Sequence, residues 1–273
     1  MASTTGRALS AEEFRSVSEL MYAISGVNLT PGKEGLVESR LANRLRALNL
    51  DSYTEYLAFV RNDRQRTELT TLVDLLTTNK TNFFREAAHF EYLKESVLPE
   101  LAQRGSARFW CAGCSSGEEP YTLAMVLAEV WTASQLAGVK ILATDLSTRV
   151  LARAAAAEYD STAIGDMDPD RVRRHFDRSG VPGALRYTVK RPLRHLVHTA
   201  RLNLMGDWPM KGPFDVIMCR NVMIYFDPPT QERLVKRFYE LLVPGGSLLV
   251  GHSESLTALS HEFTSVQPAT YLK

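Results

Sequence analysis

The chain has 273 residues, of which 45% are hydrophobic and 23% charged, and its formal net charge is +1. These values are typical of a globular protein with one large or two smaller domains, and they give no reason to expect a general nucleic-acid or membrane binder. Residues 1–10 lack the apolar segment of a secretory signal. The apolar stretch 121–143 is interrupted by polar and charged side chains, which argues against a membrane span.

Three cysteines, Cys111, Cys114 and Cys219, lie within apolar runs. Their odd number favours a reducing, cytoplasmic setting. The C-x-x-C spacing of the first two suggests zinc, but no second ligand pair has a suitable spacing, and His195 and His198 qualify in residue type only. We therefore predict buried structural thiols and no metal site.

The first 77 residues show the apolar period of helices. Capping boxes at Ser10 with Glu13 and at Ser52 with Glu55 open two of the four predicted helices. The apolar positions of these helices are Phe14, Val17, Met21 and Ile24; Val37, Leu41, Leu45 and Leu48; Tyr56, Leu57 and Val60; and Leu69, Leu72, Val73 and Leu76. The sequence therefore predicts an all-α N-terminal domain at 1–77. A polar turn follows it and leads into a fifth helix, whose apolar face is Phe90, Leu93, Val97 and Leu101.

From residue 108 onward, short apolar runs alternate with helical patterns. The predicted strands are 108–111, 140–144, 214–219 and 247–251, and the predicted helices are 121–131, 148–158 and 230–242. This alternation predicts an α/β domain at 78–273 with a doubly wound, mainly parallel sheet covered on both faces. The tail, 263–273, is expected to add antiparallel edge strands.

The segment 159–201 interrupts the alternation. It contains a predicted short helix at 168–176 and two short runs, 184–189 and 193–200, that resemble an antiparallel hairpin around 190–192. The second run could instead hold a strand of the main sheet. We predict a small antiparallel β insertion at about 159–194. From Arg178 to Gly206 the chain has six Lys or Arg residues and no Asp or Glu.

The segment 110–121 places a glycine turn between the first predicted strand and a helix. Small residues, including Ala112 and Gly113, allow a ligand to approach the backbone closely. A helix N-terminus normally attracts phosphate, but Glu118 and Glu119 would repel it. The pattern therefore favours a nucleoside ligand without phosphates.

Asp145 follows the second predicted strand, where an acid can accept hydrogen bonds from both hydroxyls of a ribose. The alternative is an N-cap for the helix that follows. A dehydrogenase is the main rival for this layout, but Gly113 and Gly117 are not followed by the third glycine of a G-x-G-x-x-G motif. A P-loop is excluded because no Gly-Lys-Ser/Thr follows the turn.

The strand at 214–219 is followed by RNVMIYF, residues 220–226. Polar and aromatic residues at a strand's carboxyl end indicate a site lining, although Tyr225 and Phe226 could instead be core residues. The next residues, Asp227-Pro-Pro229, invite comparison with the Asp-Pro-Pro-Tyr motif of amino-methylating DNA enzymes, but they lack the aromatic residue. We interpret them as a turn opening the next helix.

The whole pattern resembles a known family. The motifs LTTNKTNFFRE (76–86), SGEEPY (116–121), CRNVMIYF (219–226) and GHSE (251–254) closely resemble those of the bacterial chemotaxis receptor methyltransferases. The resemblance extends in order from about residue 14 to 273. It implies a class I methyltransferase-like domain that transfers methyl from S-adenosylmethionine to glutamate side chains of chemoreceptors.

The resemblance also implies roles for individual residues. Arg85 and Tyr225 would flank the methyl group as the catalytic residues, Asp145 would hold the ribose, and Asn203 and Leu204 would frame the adenine. The remaining cofactor-binding residues would be Asn79, Thr81, Ala112, Gly113, Glu119, Arg220 and Asn221, together with Arg85 itself.

Receptor docking is expected on basic surfaces. Arg40 and Arg44 are one helical turn apart, with Arg46 nearby, and such a face can bind an acidic helical bundle; an ordinary solvated face is the alternative. The basic insertion, with Arg186, Lys190, Arg191 and Arg194, is a second candidate that could bind a receptor C-terminal peptide. We expect no nucleic-acid partner and no membrane insertion. Two other functions remain open at this point: a methyltransferase of the same fold acting on a small molecule or nucleic acid, and an inactive adapter that senses the cofactor.

Overall fold

The computed structural model describes residues 8–273, which form two compact units. The first unit contains the described residues up to Thr78 together with Tyr225–Asp227, and the second contains Asn79–Ile224 and Pro228–Lys273. Over residues 8–273, no helix has the length and apolarity that a membrane crossing requires.

The first unit contains the four helices expected from the sequence, namely α1 (Ala11–Ser25), α2 (Glu34–Leu48), α3 (Tyr53–Asn62) and α4 (Thr67–Leu76). Ser10 and Glu13 form the predicted capping box, and Gly26 ends α1 in the left-handed conformation that glycine adopts at little cost. The apolar stripes meet in a common core, in which Val17, Leu41 and Leu72 are completely buried.

Two arginines of α2 fasten this helix to α4. The guanidinium of Arg44 donates to the carboxylate of Glu68, which is buried and also accepts a 2.8 Å hydrogen bond from the Tyr56 hydroxyl. Arg40 donates to the backbone carbonyls of Leu76 and Thr77 at 2.9 and 3.0 Å. These carbonyls lie at the end of α4, where the helix itself supplies no donors.

The second unit is built on a seven-stranded sheet with the order β6-β2-β1-β7-β8-β10-β9. Its strands are β1 (Ala107–Ala112), β2 (Val139–Asp145), β6 (Val197–Arg201), β7 (Phe214–Cys219), β8 (Leu242–Val250), β9 (Thr264–Gln267) and β10 (Thr270–Leu272). Along this order, each neighbouring pair from β6 to β8 is parallel, whereas β10 is antiparallel to both of its neighbours, β8 and β9. The predicted doubly wound class is therefore confirmed, as are the antiparallel strands in the tail.

Helices connect these strands. They are α5 (Ala88–Tyr92), α6 (Leu98–Leu101), α7 (Glu118–Val130), α8 (Ala133–Leu136), α9 (Thr148–Ala156), α10 (Ser161–Ile164), α11 (Pro169–His175), α12 (Arg191–Arg194) and α13 (Pro228–Leu241). A π-helical segment, Leu93–Val97, joins α5 to α6, so the predicted fifth helix is one irregular helical run. Both faces of the central strand β1 are covered, because Phe109 lies in the main apolar cluster while the alternate residue Trp110 packs against Phe238.

The insertion forms a separate three-stranded antiparallel sheet with the order β3-β5-β4. Its strands are β3 (Glu158–Asp160), β4 (Phe176–Ser179) and β5 (Arg186–Val189). The predicted hairpin around 190–192 is wrong, because residues 191–194 form α12 and β6 then pairs with β2 in the main sheet. Pro192 suits the first turn of a helix, and β5 finds its partners in β3 and β4 instead.

Candidate functional site

The carboxyl ends of the parallel strands lie along one edge of the sheet and present the predicted motifs there. β1 ends at Ala112, β2 at Asp145, β7 at Cys219 and β8 at Val250. The order of the strands reverses between β1 and β7, since β2 and β6 lie on one side of β1 and β7 and β8 on the other. Such a reversal opens a crevice at the carboxyl ends, where α/β proteins bind ligands.

The glycine turn after β1 is fixed by its own backbone. The N–H groups of Gly113 and Cys114 both donate to the Thr144 carbonyl at 2.8 Å. Gly113 has a φ of +90°, and a Cβ added there would overlap Cγ2 of Val222. Glycine at this position is therefore required by backbone conformation and by packing against the segment after β7.

Asp145 links β2 to the glycine turn. Its carboxylate accepts from the Ser115 N–H at 2.8 Å and from the Ser147 N–H at 2.9 Å. The N-cap of α9 is Ser147, whose side chain accepts from the Val150 N–H, so the alternative assignment of Asp145 as this cap is wrong. A carboxylate has about four acceptor positions, so these two N–H groups alone do not saturate Asp145.

Arg85 lies between two residues in the left-handed conformation, since Phe84 and Glu86 both have a φ of 54°. Such a conformation is uncommon for residues other than glycine and needs outside support. The Phe84 N–H donates to Thr122 Oγ1 at 3.1 Å, and the guanidinium of Arg171 lies 4.3 Å from the centre of the Phe84 ring. The Arg85 guanidinium itself donates to the Lys80 carbonyl at 3.1 Å.

Arg220 is the buried centre of the polar contacts at this edge. Its guanidinium donates to Glu86 at 3.1 and 3.3 Å, to Glu119 at 3.1 Å, and to the backbone carbonyl of Arg85. Burial alone would raise the pKa of Glu86, but Arg220 and further donors outweigh it and hold the pKa below the usual value. For Glu119 burial dominates over Arg220, and its pKa is raised.

Glu254 is a structural residue of the site to which the sequence analysis gave no role. Its buried carboxylate accepts from the N–H groups of Asn221 and Gly251 at 2.6 Å and of Ile224 at 3.1 Å. Asn221 has a φ of 60°, so Glu254 supports a left-handed turn immediately after Arg220. Burial raises the pKa of Glu254 even though these donors oppose the shift. The only sequence signal was its place in the GHSE motif.

Glu86 is the second such residue, and two histidines lie beside it. Its carboxylate also accepts from Asn221 Nδ2 and from the His252 N–H, both at 3.3 Å. Glu86, His89 and His252 each present a potential metal-ligating atom, and these atoms lie within 4.8 Å of one another. Burial lowers the pKa of His89 to about 4, so its imidazole is neutral near pH 7.

The remaining predicted cofactor residues also belong to the second unit. The Asn79 carbonyl accepts from Ser115 Oγ at 2.9 Å, which connects the segment before Arg85 to the glycine turn. Asn203 Oδ1 accepts from the Met205 N–H, and the Leu204 carbonyl accepts from Arg237, so the turn after β6 is well fixed. Thr81 is half-buried.

Tyr225, the second predicted catalytic residue, belongs to the first unit. Its carbonyl accepts from the Asn28 N–H at 2.8 Å. The predicted docking arginines also lie in the first unit, where Arg40 and Arg44 hold α4 as described. Arg46 is exposed, with its guanidinium on Ala42 and Asn43.

The donor and acceptor groups at the sheet edge fit S-adenosylmethionine. Asp145 offers acceptors for ribose hydroxyls, Glu119 is an acid for a cationic ligand, and Arg85 and Arg220 are cations suited to a carboxylate. Two acidic side chains, Glu118 and Glu119, occupy the first turn of α7, and such a helix N-terminus is poorly suited to a phosphate.

Comparisons with known proteins agree with this chemistry. The family described as "CheR methyltransferase, SAM binding domain" matches residues 79–272, and "CheR methyltransferase, all-alpha domain" matches residues 12–77. The probable chemotaxis protein methyltransferase of Rhizobium etli is 40% identical, covering 92% of this chain and 96% of that protein. Chemotaxis protein methyltransferase 2 of Pseudomonas aeruginosa is 41% identical over 95% of this chain and 92% of that protein. The Escherichia coli chemotaxis protein methyltransferase is 39% identical over 94% of this chain and 89% of that protein. The chain therefore belongs to the CheR methyltransferase family.

Proposed function

We propose that this S-adenosylmethionine-dependent chemotaxis methyltransferase forms methyl esters on glutamate side chains of chemoreceptors. The observation that supports it best is the charge arrangement at the sheet edge. Acids lie where a ribose and a cationic group would bind. Arg85 lies between two residues in the left-handed conformation, and its guanidinium donates to the Lys80 carbonyl. This arrangement suits a sulfonium donor and an anionic acceptor.

The residues of the second unit would divide the work of binding the cofactor. Asp145 would accept hydrogen bonds from the ribose hydroxyls, and Asn203 and Leu204 would frame the adenine. Asn79, Thr81, Ala112, Gly113, Glu119, Arg220 and Asn221 would surround the amino-acid end. The cofactor supplies an electrophilic methyl group on a positively charged sulfur.

The acceptor needs orientation and not deprotonation. A glutamate side chain has an unperturbed pKa of about 4.3, so it is already a carboxylate at neutral pH and no general base is required. Arg85 would orient this carboxylate by charge-assisted hydrogen bonds. Tyr225 would shape the approach to the methyl group. The reacting atoms must be held in line at roughly 3 Å.

Transfer of labelled methyl to receptor-containing membranes tests this function. We expect label that base releases as methanol, because an ester is base-labile. In Arg85→Ala we expect methyl transfer to fall by at least about tenfold, the cost of one charge-assisted hydrogen bond. Binding of S-adenosylhomocysteine is measured alongside, because Arg85 is also a proposed cofactor-binding residue. Arg64→Ala, at an exposed site of the first unit, is the control. Base-stable label would exclude the ester, and transfer within a few-fold of the parent in Arg85→Ala would exclude the catalytic role.

We also propose that the basic face of α2 docks on the receptor's helical bundle. Arg40 and Arg44 have internal partners, so Arg46 is the position where docking can be tested without breaking the fold. Arg46→Glu should raise the Michaelis constant for receptor, because it reverses a surface charge, while cofactor affinity stays unchanged. Arg64→Glu is the matched control, and equal receptor kinetics in Arg46→Glu and the parent would contradict docking at this face.

The insertion is a second proposed docking surface, for a receptor C-terminal peptide. In the described sheet of the insertion, β3 and β4 each pair only with β5, so each has a free edge that could accept an added strand. The basic residues Arg186, Lys190, Arg191 and Arg194 lie on or beside β5. Calorimetric titration with receptor C-terminal peptides distinguishes this mode from docking through α2 alone.

A further inference from the structure

Three side chains with metal-ligating atoms converge beside Arg220 from two parts of the second unit. Glu86 precedes α5, His89 lies on α5 three residues later, and His252 follows β8. One ligating atom of each lies within 4.8 Å of the others. The rings of His89 and His252 are 5.3 Å apart, edge to face.

His89 has an unsatisfied polar group. It is 1% exposed, and among the described residues neither of its ring nitrogens has a hydrogen-bond partner. Its Nδ1 lies 3.6 Å from Glu86 Oε2, too far for a hydrogen bond. Leaving a buried polar group unpaired costs about 1–3 kcal/mol. The orphaned imidazole, facing a carboxylate and a second imidazole, indicates a missing partner.

The hydrogen bonds of the Glu86 carboxylate are long, so it is held loosely enough to bind a cation. Its four hydrogen bonds, from Arg220, Asn221 and the His252 N–H, measure 3.1–3.3 Å. Charge-assisted bonds are usually about 2.7–2.9 Å. Arg220 also pairs with Glu119, so its positive charge is divided between two carboxylates. A further cation therefore does not face an unopposed guanidinium.

We propose that Glu86, His89 and His252 form a binding site for a divalent transition metal of the zinc type. Two imidazole nitrogens and one carboxylate oxygen are a donor set that zinc accepts with its fourth position open, whereas magnesium and calcium prefer oxygen ligands. Bonds of about 2.0–2.2 Å in a tetrahedron require ligand atoms about 3.3–3.6 Å apart. His252 is exposed, so its ring has room to close this distance. Coordination by Nδ1 would give the buried His89 a partner.

The test is direct metal binding to the untagged, full-length protein, which does not depend on methyl transfer. Zinc ion is titrated against a chromophoric chelator, and cobalt(II) is added separately to read the ligand set from its visible absorption. We expect one equivalent of zinc to bind with micromolar affinity or better, and cobalt to show the spectrum of four-coordinate nitrogen and oxygen ligation.

His252→Ala should weaken zinc binding by at least about tenfold, as should Glu86→Gln. The exposed His252 can be removed without opening the core, and His198→Ala, also exposed, should bind zinc like the parent. Absence of saturable binding below millimolar zinc would overturn the proposal, as would equal affinity in His252→Ala and the parent. A thiolate charge-transfer band with cobalt would also overturn it, because it would place the metal on the cysteines.

Discussion

The carboxylate of Asp145 receives two backbone N–H groups and is predicted to receive the ribose as well. Asp145→Asn replaces one acceptor oxygen by an NH2 group, which must face an N–H or a hydroxyl. Because hydrogen bonds to charged groups contribute about 1.5–3 kcal/mol each, we expect the affinity for S-adenosylhomocysteine to fall roughly 10- to 100-fold. Calorimetric titration measures this, with the exposed Asp166→Asn as the control. An unchanged affinity would remove Asp145 from the ribose site.

Comparing alanine substitutions at Gly113 and Gly183 separates the cost of the backbone conformation from the cost of steric overlap. Both have a φ near +90°, but a Cβ at Gly113 would overlap Val222, whereas nothing lies within 4 Å of a Cβ at Gly183. Alanine at either position should cost roughly 1–2 kcal/mol for the backbone, and at Gly113 about 1–3 kcal/mol more for the overlap. Urea unfolding of Gly113→Ala and Gly183→Ala measures both. Equal destabilisation would mean that Val222 moves aside freely.

The placement of single residues at the sheet edge was predictable where position along the chain sufficed. Asp145 and Glu119 follow predicted strands, and the ends of parallel strands share one edge of the sheet. Glu86 and Glu254 were not assigned roles, because each acts by binding Arg220 or the left-handed turn after it. No local pattern identifies such long-range contacts.

At the scale of elements, the ion pair between Arg44 of α2 and Glu68 of α4 should make the free energy of unfolding depend on pH. Burial would raise the pKa of Glu68, but hydrogen bonds from Arg44 and Tyr56 outweigh it and lower the pKa. A lowered folded-state pKa gives stability that is present above the unfolded pKa of about 4.3 and is lost as the pH falls towards the folded value. We therefore expect the free energy of unfolding to decrease on acidification below about pH 5.

Glu68→Gln should reduce this pH dependence and lower the stability at pH 7, by about 2 kcal/mol, because the buried pair is lost. Urea unfolding between pH 3.5 and 7, a range chosen around that unfolded pKa of about 4.3, measures both effects. Glu19→Gln, on the exposed face of α1, is the control. A parallel pH dependence in Glu68→Gln and the parent would show that other groups cause it.

The internal contacts of Arg40 and Arg44 show why the basic pattern of α2 alone does not predict a docking surface. Arg40 and Arg44 share a helical face, as their spacing predicts, but helical periodicity cannot show which partner each cation finds. The insertion illustrates the same limit for strands. Within the run 184–189, residues 186–189 form the strand β5. Its partners β3 and β4 precede it in the chain, and the next apolar run contributes β6 to a different sheet.

At the scale of the whole molecule, the change from helical to alternating periodicity near residue 80 was sufficient to predict an all-α part followed by a doubly wound sheet. The strand order was less accessible. Alternation predicts parallel neighbours but does not show that β6, after the insertion, pairs with β2 at the edge of the sheet. Because the insertion separates β2 from β6 along the chain, their pairing is a long-range contact that local periodicity does not reveal.

The pairing of β2 with β6 has a consequence for the order of folding. Asp145 and Arg201 are register partners, although the entire insertion lies between them along the chain. Closing so long a loop costs entropy before any strand contact compensates for it, so β6 should pair after β1 and β2. In pulse-labelled hydrogen exchange during refolding, amides of β6 should gain protection later than those of β1. Simultaneous protection would contradict this order. If β6 pairs last, as we expect, the refolding chain passes through a state in which the glycine turn after β1 has formed but the segment after β6, which is predicted to hold the adenine, has not.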